Sequence, residues 1–265
     1  MNDHRWQRVL ITGAAGRIGS TLRTGLTGRH DAFRLHDRRP ISGLRPSEEA
    51  VIGDLSDRKL LASALEGVDA LIHLAGAPEA RDFDEVFNAN VRGLYDVFEA
   101  ARKAGVRRIA CASTNHTYGM YPVEHPMTEK DEPRPDSFYG VSKVFAEVLL
   151  RYYFDRHGIE SVSVRIGSFE QRPSQQRHLS TWLSLRDTIE LFDRALRQPK
   201  VGAAIVFGMS NNKRLRIRHP NWEAIGYSPL DNAETWVEQL RTEGVAVDGP
   251  LEWKLHGGMF EAPEY

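Results

Sequence analysis

The chain has 265 residues, 41% of them apolar and 27% charged, with a formal net charge of -1, which fits one large domain or one domain carrying a small appendage. Near-neutral charge excludes a global pull toward nucleic acid or an anionic membrane surface, so any recognition of anions has to be local. The single cysteine, Cys111, excludes an internal disulfide; in the apolar run Arg108-Ile109-Ala110-Cys111-Ala112 it reads as a small buried side chain rather than a reactive thiol.

Through the first two thirds, short β-rich apolar runs alternate with amphipathic helical stretches, the pattern of a parallel sheet covered on both faces. Strands are expected at Arg8 to Ala14, Ala32 to Asp37, Ala50 to Asp54, Ala70 to Ala75, Arg108 to Ser113 and Ser161 to Ile166. The longest intervening helices, about Phe83 to Ala104 and Gly140 to Arg156, keep apolar residues on a 3.6-residue period. Pro122 to Pro135 reads as one surface loop of unusual length, either functional or an ordinary connection. Beyond Ile166 the alternation weakens into a helix at Leu179 to Leu196, a strand at Ala203 to Phe207 and a late helix at Asn232 to Arg241. The opening residues lack a signal-peptide run, and no apolar run approaches the roughly 20 residues that span a bilayer, so a cytoplasmic protein is expected.

Thr12-Gly13-Ala14-Ala15-Gly16-Arg17-Ile18-Gly19 lies between the first strand and a helix. Gly13 suits a tight turn, Gly16 lets backbone approach a pyrophosphate, and Gly19 lets the helix pack closely, while the helix N-terminus offers free N–H groups. Three glycines alone are a weak signal; their place after a first strand is what a dinucleotide site requires. Asp37 ends the second strand, where a carboxylate accepts both ribose hydroxyls of NAD and repels the 2′-phosphate of NADP. Arg38 and Arg39 follow and offer adenine stacking or tolerance of that phosphate. Asp54, with Leu55 beside it, is placed either to accept from the adenine amino group or to cap the helix starting near Asp57. The fold class expected is α/β: a Rossmann-type doubly wound parallel sheet over residues 1–167, with the catalytic residues, and a smaller substrate-binding lobe over 168–265 packed with it as one unit.

Tyr139 and Lys143, four apart at a helix start, share one face. A tyrosine with a pKa near 10 is a poor base at neutral pH, and a nearby ammonium stabilises its phenolate. Thr114 follows Ser113 at the sheet edge where ligands bind in such folds, and its hydroxyl is suited to a reacting substrate oxygen, simple strand termination being the alternative.

The glycine loop, His73-Leu74-Ala75-Gly76, Asn90-Val91-Arg92-Gly93 and Tyr139 to Lys143 together resemble the extended short-chain dehydrogenases/reductases, the NAD-dependent epimerase/dehydratase superfamily, over about residues 8 to 170. Ala112 to Thr117, Arg165-Ile166-Gly167-Ser168, Arg177 to Trp182 and Pro229 to Glu234 resemble its uronate dehydrogenase branch across almost the whole chain. Similar motifs occur in archaeal NAD-dependent glucose-6-phosphate dehydrogenases. The resemblance implies Tyr139 as general base, Lys143 as its electrostatic partner and nicotinamide-ribose ligand, and Thr114 as third member of the triad. It also implies NAD contacts from Gly13, Ala15, Gly16, Arg17, Ile18, Gly19, Asp37, Arg38, Asp54, Leu55, Leu74, Ala75, Gly76, Asn90 and Ile166. Substrate contacts would come from Ser113, Thr114, Asn115, His116 and Tyr139, with Ser168 and Arg177 on a carboxylate, for which an arginine fork has matching geometry. No metal is implied.

The implied reaction is NAD-dependent oxidation of a hexuronic acid, glucuronate or galacturonate, at C1 to the aldarolactone, by a protein whose relatives commonly form homo-oligomers through the two long helices. The sequence departs from the family at Thr114, usually serine, at Pro78, usually small and polar, and over Lys213 to Pro220, usually aromatic and acidic. Alternation of Arg214, Arg216 and Arg218 puts three cations on one side of an extended segment, facing either water or the pocket. Alternative readings are a phosphorylated aldose such as glucose 6-phosphate as substrate, a nucleotide-sugar epimerase or dehydratase, and a non-catalytic NAD sensor.

Overall fold

In a computed structural model, which describes residues 4–77, 82–251 and 253–258, the alternating runs become β1 (Arg8–Thr12), α1 (Arg17–Gly25), β2 (Ala32–Asp37), β3 (Glu48–Ile52), α2 (Arg58–Leu65), β4 (Ala70–His73), α3 (Phe83–Val86), α4 (Gly93–Lys103) and β5 (Arg108–Thr114). Then come β6 (Met127–Thr128), α5 (Phe138–His157), β7 (Glu160–Ile166), β8 (Ser168–Phe169), α6 (His178–Thr181), β9 (Trp182–Leu183), α7 (Leu185–Arg197), β10 (Ala203–Gly208), β11 (Ile217–His219) and α8 (Val237–Thr242).

The main sheet has the order β10-β7-β5-β4-β1-β2-β3, and its neighbouring strands all run parallel. Strand residues alternate between two cores, as a two-residue period demands. Val9 and Ile11 pack with Phe33, Leu191 and Phe192 on the side of α1 and α7, whereas Leu10 packs with Leu61, Leu71, Phe98 and Leu150 on the side of α2, α4 and α5. Strand order reverses between β1 and β4, and in open sheets of this kind the ligand crevice lies beyond the carboxyl ends at that reversal.

Several boundaries differ from those expected, each for a local reason. The helix read over Phe83 to Ala104 is one run whose middle, Phe87–Arg92, is π-helical, an irregularity frequent at functional sites. Helix α5 begins at Phe138 because Ser137, extended at φ -159, caps it by accepting from Gly140 N. The expected helix Leu179 to Leu196 is interrupted: Ser184 is extended, its Oγ accepts from Asp187 N to start α7, and Trp182–Leu183 pair as β9 with β8. The expected late helix starts as a 3-10 turn, Ala233–Trp236, before α8. The stretch from Pro122 to Pro135 is not one unstructured loop, since β6 pairs with β11 and Pro122 bridges Leu255. Past residue 167 the chain also returns to the main sheet, through β10 beside β7 and α7 against α1.

Candidate active site

The turn after β1 is built around Gly13, at φ +72, whose missing Cβ would lie 3.0 Å from Ala75 N in the turn after β4. A Cβ on Gly19 would meet Gly13 O at 2.2 Å, so the first turn of α1 is pressed onto the loop. Gly16 precedes α1 with no side-chain cap, leaving the first N–H groups of the helix open to an anion. At the end of β2, Asp37 accepts from Ala15 N at 2.9 Å and Arg39 N at 3.0 Å. Burial acts to raise its pKa, but these N–H groups and the Arg39 guanidinium outweigh it and hold the carboxyl below the usual range. Asp54 accepts from Ser56 N and lies 3.9 Å from exposed Arg38; the cap of α2 is Asp57, so Asp54 is not that cap. Open N–H groups, a Cβ-free turn and an ionised carboxylate at the ribose position fit NAD.

Beyond this cradle, Lys143 Nζ donates to Ala112 O at 2.9 Å and lies 5.6 Å from the Tyr139 ring centre. It also sits near the turn after β4, 3.7 Å from where a Gly76 Cβ would stand. The π-helical turn aims Asn90 inward: its Oδ1 accepts from Ala77 N at 2.8 Å, and its Nδ2 donates to Ser142 Oγ, which donates to Tyr139 O. The first turn of α5 packs tightly on the segment after β5, because a Gly140 Cβ would be 2.5 Å from His116 O. Thr114 thus ends β5 beside the Tyr139 turn, with its Oγ1 accepting from His116 N at 3.2 Å. Behind Lys143, His73 Nδ1 is 2.9 Å from Thr12 Oγ1, and burial, with help from the Lys143 charge, pushes its pKa down to about 3.

The residues expected to contact substrate lie on the 3-10 turn Asn115–Tyr118 and after β7. With its amide oriented to satisfy both ends, Asn115 donates to Ile166 O at 3.1 Å and accepts from Arg177 Nη2 at 2.5 Å. Arg177 Nη2 also donates to His256 O at 3.1 Å, while its Nε is shielded from solvent with no partner. Burial lowers the Arg177 pKa, and no carboxylate among the described residues forms an ion pair with it. His116 Nδ1 pairs with Asp136 Oδ2 at 2.8 Å, and its ring stands edge-on to Tyr139 at 6.2 Å. Ser168 Oγ is 2.8 Å from Thr181 Oγ1, which donates to Arg177 O.

Tyr139, Lys143, Thr114, Asn115, His116 and Asn90 therefore meet at the carboxyl edge of the sheet, next to the turn carrying Leu74, Ala75 and Gly76. Ser113 points elsewhere: its Oγ donates to Glu147 Oε1 at 2.6 Å, and Glu147 takes a two-bond fork from buried Arg165. The Ser113 hydroxyl is committed inside the core, a correction to its expected substrate contact. The three alternating arginines also separate. Arg214 is forked onto Glu234, Arg218 is exposed, and Arg216 lines a narrow cavity with Asn115, Tyr118, Ser180, Thr181 and His256. Pro78 lies outside the described residues. Sequence reasoning missed Ser142, which links Asn90 to the Tyr139 turn, and Asp136, which fixes His116 from 20 positions away. It also missed the tail at 253–258, whose Gly258 lies against the Arg177 guanidinium.

Residues 9–184 match the model of the NAD dependent epimerase/dehydratase family. Uronate dehydrogenase of Pseudomonas putida is 40% identical over 261 residues, covering 98% of this chain and 97% of that protein. The crystal structure of uronate dehydrogenase from Agrobacterium tumefaciens superposes with a TM-score of 0.91 at 36% identity, covering 98% of both chains. A tyrosine-to-alanine mutant of the Agrobacterium tumefaciens enzyme, complexed with NAD, gives a TM-score of 0.90 at 35% identity, again covering 98% of both chains. The glycine cradle after β1, the acid ending β2 and the Tyr139–Lys143 turn, together with a family match over most of the sheet, place this chain in the NAD dependent epimerase/dehydratase family.

Proposed function

We propose that this protein is an NAD-dependent oxidoreductase that oxidises a hexuronic acid, glucuronate or galacturonate, at C1 to the aldarolactone. One observation carries the reading: Lys143 stands beside Tyr139 at the end of β5, and Asn115, which directly follows Thr114 there, holds Arg177, a cation with no carboxylate partner among the described residues. A sugar with a hydroxyl at one end and a carboxylate at the other offers a partner to each of those two groups. The near full-length similarity to uronate dehydrogenases supports the same substrate class.

In this reading the cradle Gly13 to Gly19 takes the pyrophosphate, Asp37 the adenosine ribose, and Lys143 and Asn90 the nicotinamide end. Bound NAD supplies the acceptor for the hydride leaving C1. Tyr139, with the Lys143 ammonium beside it, takes the proton of the anomeric hydroxyl, and Thr114 holds that oxygen in register. Asn115 orients Arg177, whose guanidinium binds the substrate carboxylate with Ser168 nearby. His116, fixed by Asp136, faces the ring hydroxyls. Residues after 167 supply the anion-binding side, apart from α7 and β10, which complete the sheet. A second copy pairs through the exposed apolar residues Tyr95 on α4 and Val141, Val148 and Tyr152 on α5; a purely monomeric protein in sedimentation would overturn that pairing.

The test is NADH absorbance with glucuronate, galacturonate, glucose 6-phosphate and UDP-sugars. Tyr139→Phe is expected to lower turnover at least about a hundredfold while NAD still binds. Near-full turnover in that variant removes Tyr139 as the base, and NAD binding without turnover of any sugar favours a sensor.

A further inference from the structure

The sequence leaves open whether Arg216 faces water or the pocket, and its surroundings decide the matter. Its backbone is held where β11 joins β6, with Met127 N donating to Arg216 O at 3.2 Å. That pairing lays the segment over the loop that follows β5. The guanidinium donates to Val123 O at 3.1 Å and lines the narrow cavity bounded by Asn115, Tyr118, Ser180, Thr181 and His256. Two of those residues, Asn115 and His256, are the direct partners of Arg177. Asn115 and His256 therefore neighbour both arginines, and the charges of both act on His256.

Charge pairing sets these two apart from their neighbours. Arg17, Arg172, Arg186 and Arg214 in the same region pair with Glu170, Glu243, Asp231 and Glu234 respectively. Arg177 and Arg216 have no such partner among the described residues, and Asp136, a nearby carboxylate, is engaged by His116 and Ser137. Two partly buried cations that share neighbours and lack a counter-charge are costly unless an anion arrives beside them.

We propose that Arg216 is a second, specificity-determining cation of the substrate site, reading with Arg177 an oxyanion on the end of the aldose remote from C1. The shared chemistry is a terminal oxyanion, a carboxylate or a phosphate, and a pair of guanidiniums suits a doubly charged group better than one does. The substrate part of this inference rests on the C1-oxidation reading; the anion subsite is testable without it.

The experiment compares wild type with Arg216→Met and Arg216→Lys on glucuronate, galacturonate and glucose 6-phosphate, with neutral glucose and galactose as internal references. Arg216→Met is expected to raise KM for the anionic sugars about tenfold or more beyond its effect on the neutral ones, the loss typical of one charge-assisted hydrogen bond. The accompanying fall in kcat should be under about threefold, with Arg216→Lys recovering most of the KM. A larger penalty on the phosphate identifies a phosphate reader, and a larger one on uronates a carboxylate reader. Equal effects on neutral and anionic sugars, or none, overturn the proposal and leave Arg216 as a strap on Val123. If Arg216→Met does not fold, Arg216→Gln replaces it, keeping a donor for the Val123 carbonyl without the charge. Should wild type oxidise none of these sugars, C1 oxidation fails, and calorimetry with glucarate judges the subsite. About tenfold weaker binding in the variant supports it; equal affinity, or no binding to wild type, overturns it.

Discussion

Replacing Asp37 with alanine tests how the end of β2 chooses its cofactor. The carboxylate is nearly buried, and Ala15 N and Arg39 N fix it at the end of β2, where the proposed site puts the adenosine ribose. Hydrogen bonds to a charged acceptor contribute about 1.5–3 kcal/mol each, and losing two ribose hydroxyl contacts therefore weakens NAD by about 3 kcal/mol or more. That corresponds to roughly a hundredfold in Kd. Freed from Asp37, the exposed Arg38 and Arg39 can take a 2′-phosphate, so NADP loses the repulsion and gains two cations. The ratio of NADPH to NADH affinity is expected to move at least about a hundredfold toward NADPH. Binding titrations of the two reduced cofactors, read by fluorescence, give the ratio directly. A shift below about threefold, with both cofactors weakened equally, refutes the reasoning and makes Asp37 a loop brace.

Three further outcomes follow from buried contacts. Glu147→Ala strips the only charged partner that the described residues give buried Arg165, and removing one member of such a pair should cost about 3–5 kcal/mol in urea unfolding; a loss under about 1 kcal/mol contradicts the account. Gly19→Ala brings a Cβ against backbone at 2.2 Å and 2.7 Å, which cannot yield as a side chain would. It is expected to cost about 1–3 kcal/mol and to weaken NAD, so wild-type NAD affinity would speak against the close packing of α1. Burial first, then the Lys143 charge, lowers His73 to about 3, and burial first, then Arg177, lowers His178 to about 4. These folded values lie below the unfolded value of about 6.5. Their contribution to stability is therefore complete above that pH and lost as pH falls toward 4 and then 3, at up to about 1.4 kcal/mol per pH unit for each histidine. Urea midpoints that stay level between pH 7 and pH 4.5 would rule this out.

The fold was legible because its signals are local and repeated. Val9, Leu10 and Ile11 announce a strand buried on both faces, and Gly13 to Gly19 announce the turn that follows it. The boundaries that sequence misplaced were decided by single side chains acting across the chain or by a cap. Ser137 and Ser184 start helices that periodicity alone puts elsewhere, and β9 exists because β8 is there to pair with it. At the site, Tyr139 and Lys143 were visible because helical spacing joins them. Ser113 was misjudged because alternation along β5 turns it toward Glu147, while its neighbour Thr114 accepts from His116 N. The link from His256 to Arg177 spans 79 positions, and no local pattern carries such a contact.

The distribution of buried charge gives the site its direction. Inside the sheet, Arg165 is neutralised by Glu147 and Arg108 by Glu160 at 2.6 Å, and at its edge Arg34 meets Glu49 at 2.7 Å. A chain that pairs its interior arginines this consistently is not simply poor in carboxylates, since Asp and Glu number 36 against 35 Lys and Arg. Arg177 breaks the rule: its partners are a carbonyl and an amide oxygen, which orient the guanidinium without cancelling its charge. Desolvating a cation without neutralising it costs stability, and the cost is offset only when an anion enters. On the proposed function, the same arrangement disfavours a neutral sugar relative to an acidic one, because the neutral sugar leaves the charge unanswered. Selectivity for an acidic sugar then follows from what the fold withholds from Arg177, and the choice of bond from Tyr139 and Lys143.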